Sequence, residues 1–98
     1  MDLSGLPSVV VVIHRPGCGA CEEFLPRAHD AADRWRPCVP TAFLDALKNV
    51  AWCDQMQVQY TPTLFVLRHG TPIRRLEGVV PPEQIEAAYH EAARECQI

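Results

Sequence analysis

Hydrophobic positions along the 98-residue chain change their period several times, and the order of those changes predicts β-α-β-α-β-β-α. Residues 9–13 are four valines and an isoleucine in a row. Such an unbroken β-branched run suits a strand buried on both faces, hence one central in its sheet. After the turn-forming Arg15-Pro16-Gly17, apolar Leu25, Ala28, Ala32 and Trp35 recur at helical spacing, while Arg27, Asp30, Asp33 and Arg34 fill the other side. This predicts a helix over 18–36, kinked by Pro26 and ended by Pro37. Residues 39–44 read as a second strand with Pro40 near its start, where a missing donor is tolerable. Asn49 is expected to cap a short helix over 49–57 that carries Val50, Cys53 and Met56.

Residues 63–67 form the third predicted strand. His69-Gly70 follows as a tight hairpin turn, because glycine accepts positive φ. Pro72 assigns the returning strand, 73–76, to a sheet edge, since a central strand could not spare that amide. The last segment, 82–96, sets Ile85, Ala88, Tyr89, Ala92 and Cys96 on one helical face and opens with Pro82 and Glu83, a favourable first turn. The fold class expected is an α/β sandwich: one domain over 1–98, with a central mixed four-stranded sheet and helices on both faces.

Composition adds exclusions. With 48% hydrophobic and 21% charged residues of both signs, the chain has the balance of a folding globular protein. A net charge of −3 supplies no broad positive field, so nucleic acid is not an expected partner. The first eight residues hold no basic region, and the apolar run 9–13 is too short for a signal core or a membrane span. The cytoplasm is therefore the expected location, with no membrane partner. Five cysteines are many for a reducing compartment, and the number is odd. That favours reactive or ligand cysteines over structural bridges, although two bridges and one free thiol satisfy the same arithmetic.

The chemistry concentrates in Cys18-Gly19-Ala20-Cys21, which follows a buried strand and starts a helix. Two intervening residues keep the sulfurs within bonding reach in a first helical turn, so a disulfide opens and closes with little backbone movement. The unpaired amides and positive end of that turn stabilise an anion, which favours the Cys18 thiolate. Cys18 is assigned as nucleophile, with small Gly19 and Ala20 leaving it approachable, and Cys21 as resolver. The same spacing supplies half of many zinc sites, but Cys38, Cys53, His14 and His29 form no second close pair, so no metal and no cofactor is expected.

With these residues in place, the chain resembles the thioredoxin family from about residue 9 to 89. The stretch 18–26 is similar to that family's active-site helix, including the proline five residues beyond the second cysteine. Tyr60-Thr61-Pro62-Thr63-Leu64 resembles its cis-proline loop, and Gly70 and Gly78 fall at its hairpin and loop glycines. The resemblance implies a cis Pro62 facing Cys18, with the Thr61 backbone available to an extended substrate segment as an added strand. It implies substrate contacts from Gly17, Gly19, Ala20, Thr61, Pro62 and Gly78. It also implies disulfide-containing protein partners and recharging by a thioredoxin-reductase-like or other thiol reductant.

The departures are specific. Gly17 stands in place of the family's tryptophan, Ala20 in place of its proline, Val12 in place of its buried acid, and Glu22 in place of a basic residue. By the resemblance, a β-α unit before residue 9 is expected to be absent, as in glutaredoxins and minimal thioredoxins, but no glutathione site is recognisable. Loss of the buried acid leaves Glu22, His14 or water to take the proton of Cys21, and Arg15 is a candidate positive neighbour for Cys18. Cys53 and Cys96 are read as small buried hydrophobes and Cys38 as the best exposed thiol. Trp35 and Trp52 are read as packing residues. The function expected is a protein-disulfide reductant and electron carrier; the alternatives are a disulfide oxidant or isomerase run by the same residues, and a non-catalytic partner-binding module.

Overall fold

The computed structural model describes residues 6–94 and residue 96. Four strands, β1 (Ser8–His14), β2 (Thr41–Asp45), β3 (Thr63–Arg68) and β4 (Thr71–Glu77), form one sheet in the order β2-β1-β3-β4. Three helices, α1 (Gly19–Trp35), α2 (Val50–Gln55) and α3 (Pro82–Ala92), flank it. The sheet is mixed: β1 runs parallel to β2 and antiparallel to β3, which pairs antiparallel with β4.

The valine run is central, and its alternation divides the interior in two. Val10 and Val12, with Leu64 and Val66 of β3, meet Phe24, Ala28 and Ala31 of α1 and Ile85, Ala88, Tyr89 and Ala92 of α3. Val9, Val11 and Ile13, with Phe65 and Leu67, meet Cys53, Trp52 and Met56 on the opposite face. Both long helices thus share one face and α2 covers the other. On α1 the buried ridge is Cys21, Phe24, Ala28 and Ala31, one step round from the stripe through Leu25, Ala32 and Trp35 that spacing suggests. Those three lie at the half-buried margin.

Three boundaries differ from the sequence reading, each for a local reason. β2 starts at Thr41 rather than 39, because the Val39 amide closes the end of α1 on Trp35 (2.8 Å) and Pro40 has no amide to give. The Pro40 carbonyl still accepts from Val10 at 3.0 Å. Ahead of α2 lies a short 3-10 turn, Ala46–Lys48, capped by the Asp45 carboxylate on the Leu47 amide at 2.8 Å. Asn49 makes no side-chain cap; its amide nitrogen donates instead to the Asp45 carbonyl at 2.9 Å.

The third difference is that α3 ends at Ala92, and Cys96 leaves the helix to form a disulfide with Cys38. The hairpin turn is as expected, with both His69 and Gly70 at positive φ, and Pro72 lies in the edge strand β4. Among the described residues no helix is long and apolar enough to cross a membrane.

Candidate active site

β1 delivers the chain from the centre of the sheet to its edge at His14, and Arg15-Pro16-Gly17 turns it into α1. Gly17 sits at φ +73°, a region that costs any residue with a Cβ, although a Cβ there would meet open space. This turn presents Cys18 as the N-cap of α1 in extended conformation, its side chain taking the place of the usual serine or aspartate oxygen. Cys18 Sγ accepts from the Cys21 amide at 3.1 Å. The two cysteines are joined in a disulfide, their Cα atoms 5.2 Å apart. Cys18 is 8% exposed and Cys21 1%, so an incoming group meets Cys18 first.

The second wall comes from the loop before β3. The Thr61–Pro62 peptide is cis, and Pro62 is buried. Thr61 Oγ1 lies 3.4 Å from Cys18 Sγ and donates toward it, while the Thr61 carbonyl oxygen lies 3.5 Å from the same sulfur. Two contacts hold this loop: the Gly78 amide donates to the Pro62 carbonyl at 2.8 Å, and the Thr63 hydroxyl to the Tyr60 carbonyl at 2.6 Å. Arg75 on β4 anchors the segment after α2 by donating to the Gln57 carbonyl (3.0 Å) and to the Met56 carbonyl, with its guanidinium 4.7 Å above the Phe65 ring.

Between these walls lies a groove of about 540 Å³. Gly17, Cys18, Gly19, Ala20 and Thr61 line it together, and Arg15 is its single charged wall residue among the described residues. Pro62 and Gly78 do not line it; they sit behind Thr61 and set its position. His14 is half-buried and Glu22 exposed, and neither lines the groove. Val12 is fully buried in the core, and among the described residues no carboxylate lines the groove.

Sequence reasoning missed the far wall, formed by Ala46, Cys53, Val58, Gln59 and Tyr60. Tyr60, 59% exposed, was legible in principle as an aromatic just ahead of the cis-proline pattern. Ala46 had no such signal, since a 3-10 turn carries it into place. Cys53 is buried as expected and free, and burial followed by the nearby Asp54 charge pushes its thiol up from the ordinary value. It therefore stays protonated at neutral pH and makes a poor nucleophile beside Cys18.

The reading of Cys38 as an exposed thiol and Cys96 as a buried hydrophobe is corrected by their disulfide, with Cα atoms 5.4 Å apart. Two bridges and one free thiol is the arrangement found. Loss of helical structure after Ala92 removes Cys96 from the face on which periodicity had set it. Among the described residues no group of three His, Cys, Asp or Glu side chains is disposed to hold a metal.

A disulfide at a helix start, beside a backbone turn and open on one side, suits thiol–disulfide exchange with an extended segment. Comparison with known proteins agrees. A thioredoxin family model matches residues 4–91. A thioredoxin-like protein of Synechocystis sp. is 31% identical over 84 residues, covering 85% of this chain and 80% of that protein. A thioredoxin of Alicyclobacillus acidocaldarius is 29% identical over 85 residues, covering 87% and 81%. The solved thioredoxin of Malassezia sympodialis superposes with a TM-score of 0.82 at 19% identity, over 89% of this chain and 76% of that one. That of Fasciola hepatica gives 0.79 at 21% identity, over 87% and 80%. Fold, matched span and the paired Cys18 and Cys21 agree with thiol–disulfide oxidoreductase chemistry in general, and the chain belongs to the thioredoxin family.

Proposed function

We propose that this chain reduces disulfides in protein substrates through the Cys18-Gly19-Ala20-Cys21 dithiol, acting as an electron carrier recharged by a thioredoxin-reductase-like or other thiol reductant. The observation that carries the reading is the setting of Cys18 Sγ: it accepts from the Cys21 amide at 3.1 Å, faces Thr61 Oγ1 at 3.4 Å, and opens on the groove. Once the bridge is reduced, two donors and the helix start favour the Cys18 thiolate over the thiol.

The Cys18 thiolate attacks one sulfur of the substrate disulfide, forming a mixed disulfide and releasing the other sulfur as a thiolate that takes up a proton. Cys21, already within bonding reach, gives up its proton and attacks Cys18. The Cys18–Cys21 bond re-forms and the substrate leaves as a dithiol, two electrons and two protons richer. Val12 supplies no buried base for that second step, and His14 and Glu22 do not line the groove, which leaves water as the acceptor of the Cys21 proton when that buried thiol is engaged. Gly17, Gly19 and Ala20 leave room for the substrate backbone, and Thr61, held by Pro62 and Gly78, offers it main-chain pairing. Arg15 adds positive charge at the mouth. No cofactor takes part.

The test is the reduction potential of the Cys18–Cys21 pair, together with Cys21→Ser as a trap. A potential near about −270 mV, with mixed disulfides to cellular proteins accumulating on Cys18, is the expected result. A potential near about −120 mV would identify an oxidant working in the other direction. Absence of both cycling and trapping would leave a binding module. We place this activity in the cytoplasm, where the Cys38–Cys96 disulfide would face a reducing pool.

A further inference from the structure

The Cys38–Cys96 disulfide is not used by the chemistry above, and the protein cannot reach it with its own dithiol. α1 has 17 residues, which at 1.5 Å each separates its ends by roughly 25 Å. Cys18 caps the first end, and Cys38 lies three residues beyond the last. Cys38 and Cys96 are both half-buried, Cys38 at the margin of the core, whereas Cys21 and Cys53 are buried.

The bridge joins Cys38, after α1, to Cys96, after α3. Contacts independent of it already hold α3 against α1 and β2. Trp35 Nε1 donates to Glu86 at 2.9 Å, Arg34 pairs with the same carboxylate, and Trp35 packs between Tyr89, at 6.2 Å, and the edge-on His90 ring, at 4.6 Å. The Tyr89 hydroxyl bonds Thr41, and Arg68 donates to the Glu91 carbonyl at 2.8 Å. Cys38 is likewise fixed by its own amide on the Trp35 carbonyl at 2.9 Å. Beyond Ala92, by contrast, the contacts of Cys96 among the described residues are one backbone bond to Ala93 at 2.8 Å and the disulfide.

We propose that Cys38–Cys96 is a second redox site, a latch that dithiols open in the folded protein and that frees Cys96 without disturbing the sheet. In the opening reaction a thiolate of the external dithiol attacks one sulfur of the bridge, forming a mixed disulfide and releasing the other cysteine as a thiolate. The dithiol's second thiolate then attacks its partner, and the reagent departs as an intramolecular disulfide. Two electrons pass to the bridge, and Cys38 and Cys96 each end with a proton. The reductant class is a dithiol, and the site responds to the same pool that would recharge Cys18–Cys21.

The test uses Cys18→Ser/Cys21→Ser, so that only this bridge can cycle and the outcome is independent of the oxidoreductase reading. Dithiothreitol is added without denaturant, and alkylation is mapped by mass spectrometry alongside amide exchange. The expected result is alkylation of Cys38 and Cys96 within minutes. Exchange at Ala93, Arg94 and Cys96 should rise about tenfold or more, with β1 and β3 still protected. Cys96→Ser in the otherwise unaltered chain should show the same freed end with no reductant. A bridge that resists dithiothreitol until denaturant is added, or whose reduction strips protection from β1 and β3, overturns the proposal: the bond would then be a permanent staple of the whole fold.

Discussion

α1 has a disulfide at each end, and the two could hardly be built more differently. At its start the bond joins residues three apart inside one helical turn, with a groove in front and hydrogen-bond donors aimed at one sulfur. Beyond its other end the bond joins residues 58 apart, across two elements that side-chain contacts already unite. A short bridge constrains the unfolded chain little; a long one removes far more unfolded-state freedom. One helix thus holds an exchange site and a clasp, and the distance along it keeps them apart.

The comparison breaks most visibly at the exchange site. Cys18→Ser should reduce turnover of a fluorescent peptide disulfide to the uncatalysed rate, whereas the Cys38→Ser/Cys96→Ser chain should retain turnover within about twofold, since neither clasp cysteine is among the described residues that line the groove. Equal losses in the two variants would show that the ends are coupled. In stability the order reverses. Removing the clasp should cost about 2–4 kcal/mol in denaturant unfolding. Reducing only Cys18–Cys21, in a chain whose clasp is intact, should change it by much less.

A finer test separates the donors at Cys18. Thr61→Val removes the hydroxyl 3.4 Å from Sγ and keeps the shape, so attack at neutral pH should slow about fivefold, the equivalent of one hydrogen bond of roughly 1 kcal/mol. The pH–rate profile should move to higher pH as the thiolate loses a donor. An unmoved profile would remove Thr61 Oγ1 from the account.

The smallest effect belongs to the surface that ties β4 to α3. Arg74 hydrogen-bonds Glu91 at 2.7 Å, and that bond, partly offset by burial, holds the carboxyl below its usual value. A depressed folded-state value means the pair's contribution is complete above the ordinary glutamate range and lost as pH falls through the depressed one. Both side chains are partly exposed, so Glu91→Gln should cost no more than about 1 kcal/mol at pH 7. The difference between variant and parent should vanish in acid, as read by unfolding at a series of pH values.

Much of this was written in local sequence. The valine run declared a central strand because no solvated strand tolerates it, and Pro72 declared the edge because it withholds an amide. The dithiol was legible for the same reason its chemistry works, since spacing and helix start are both one-dimensional features. The far groove wall was not, because Ala46 and Cys53 arrive there through a 3-10 turn and the packing of α2 rather than through any pattern of their own. Asn49 misled because it holds the N-cap position of α2 but turns its side chain back to the Asp45 carbonyl, while the Asp45 carboxylate caps the 3-10 turn before it. Cys96 misled because apolar spacing continues past Ala92 after the helix stops, and a pairing across 58 residues leaves no trace in spacing.

The account turns on a single sulfur, and competitive alkylation of the fully reduced chain interrogates it directly. Limiting iodoacetamide at neutral pH, with the modified peptides quantified by mass spectrometry, should label Cys18 well ahead of Cys21 and Cys53. Its rate should persist to pH values at which an ordinary thiol has stopped reacting. Labelling that begins at Cys21 or Cys53, or a Cys18 rate that follows the titration of a free cysteine, would contradict it.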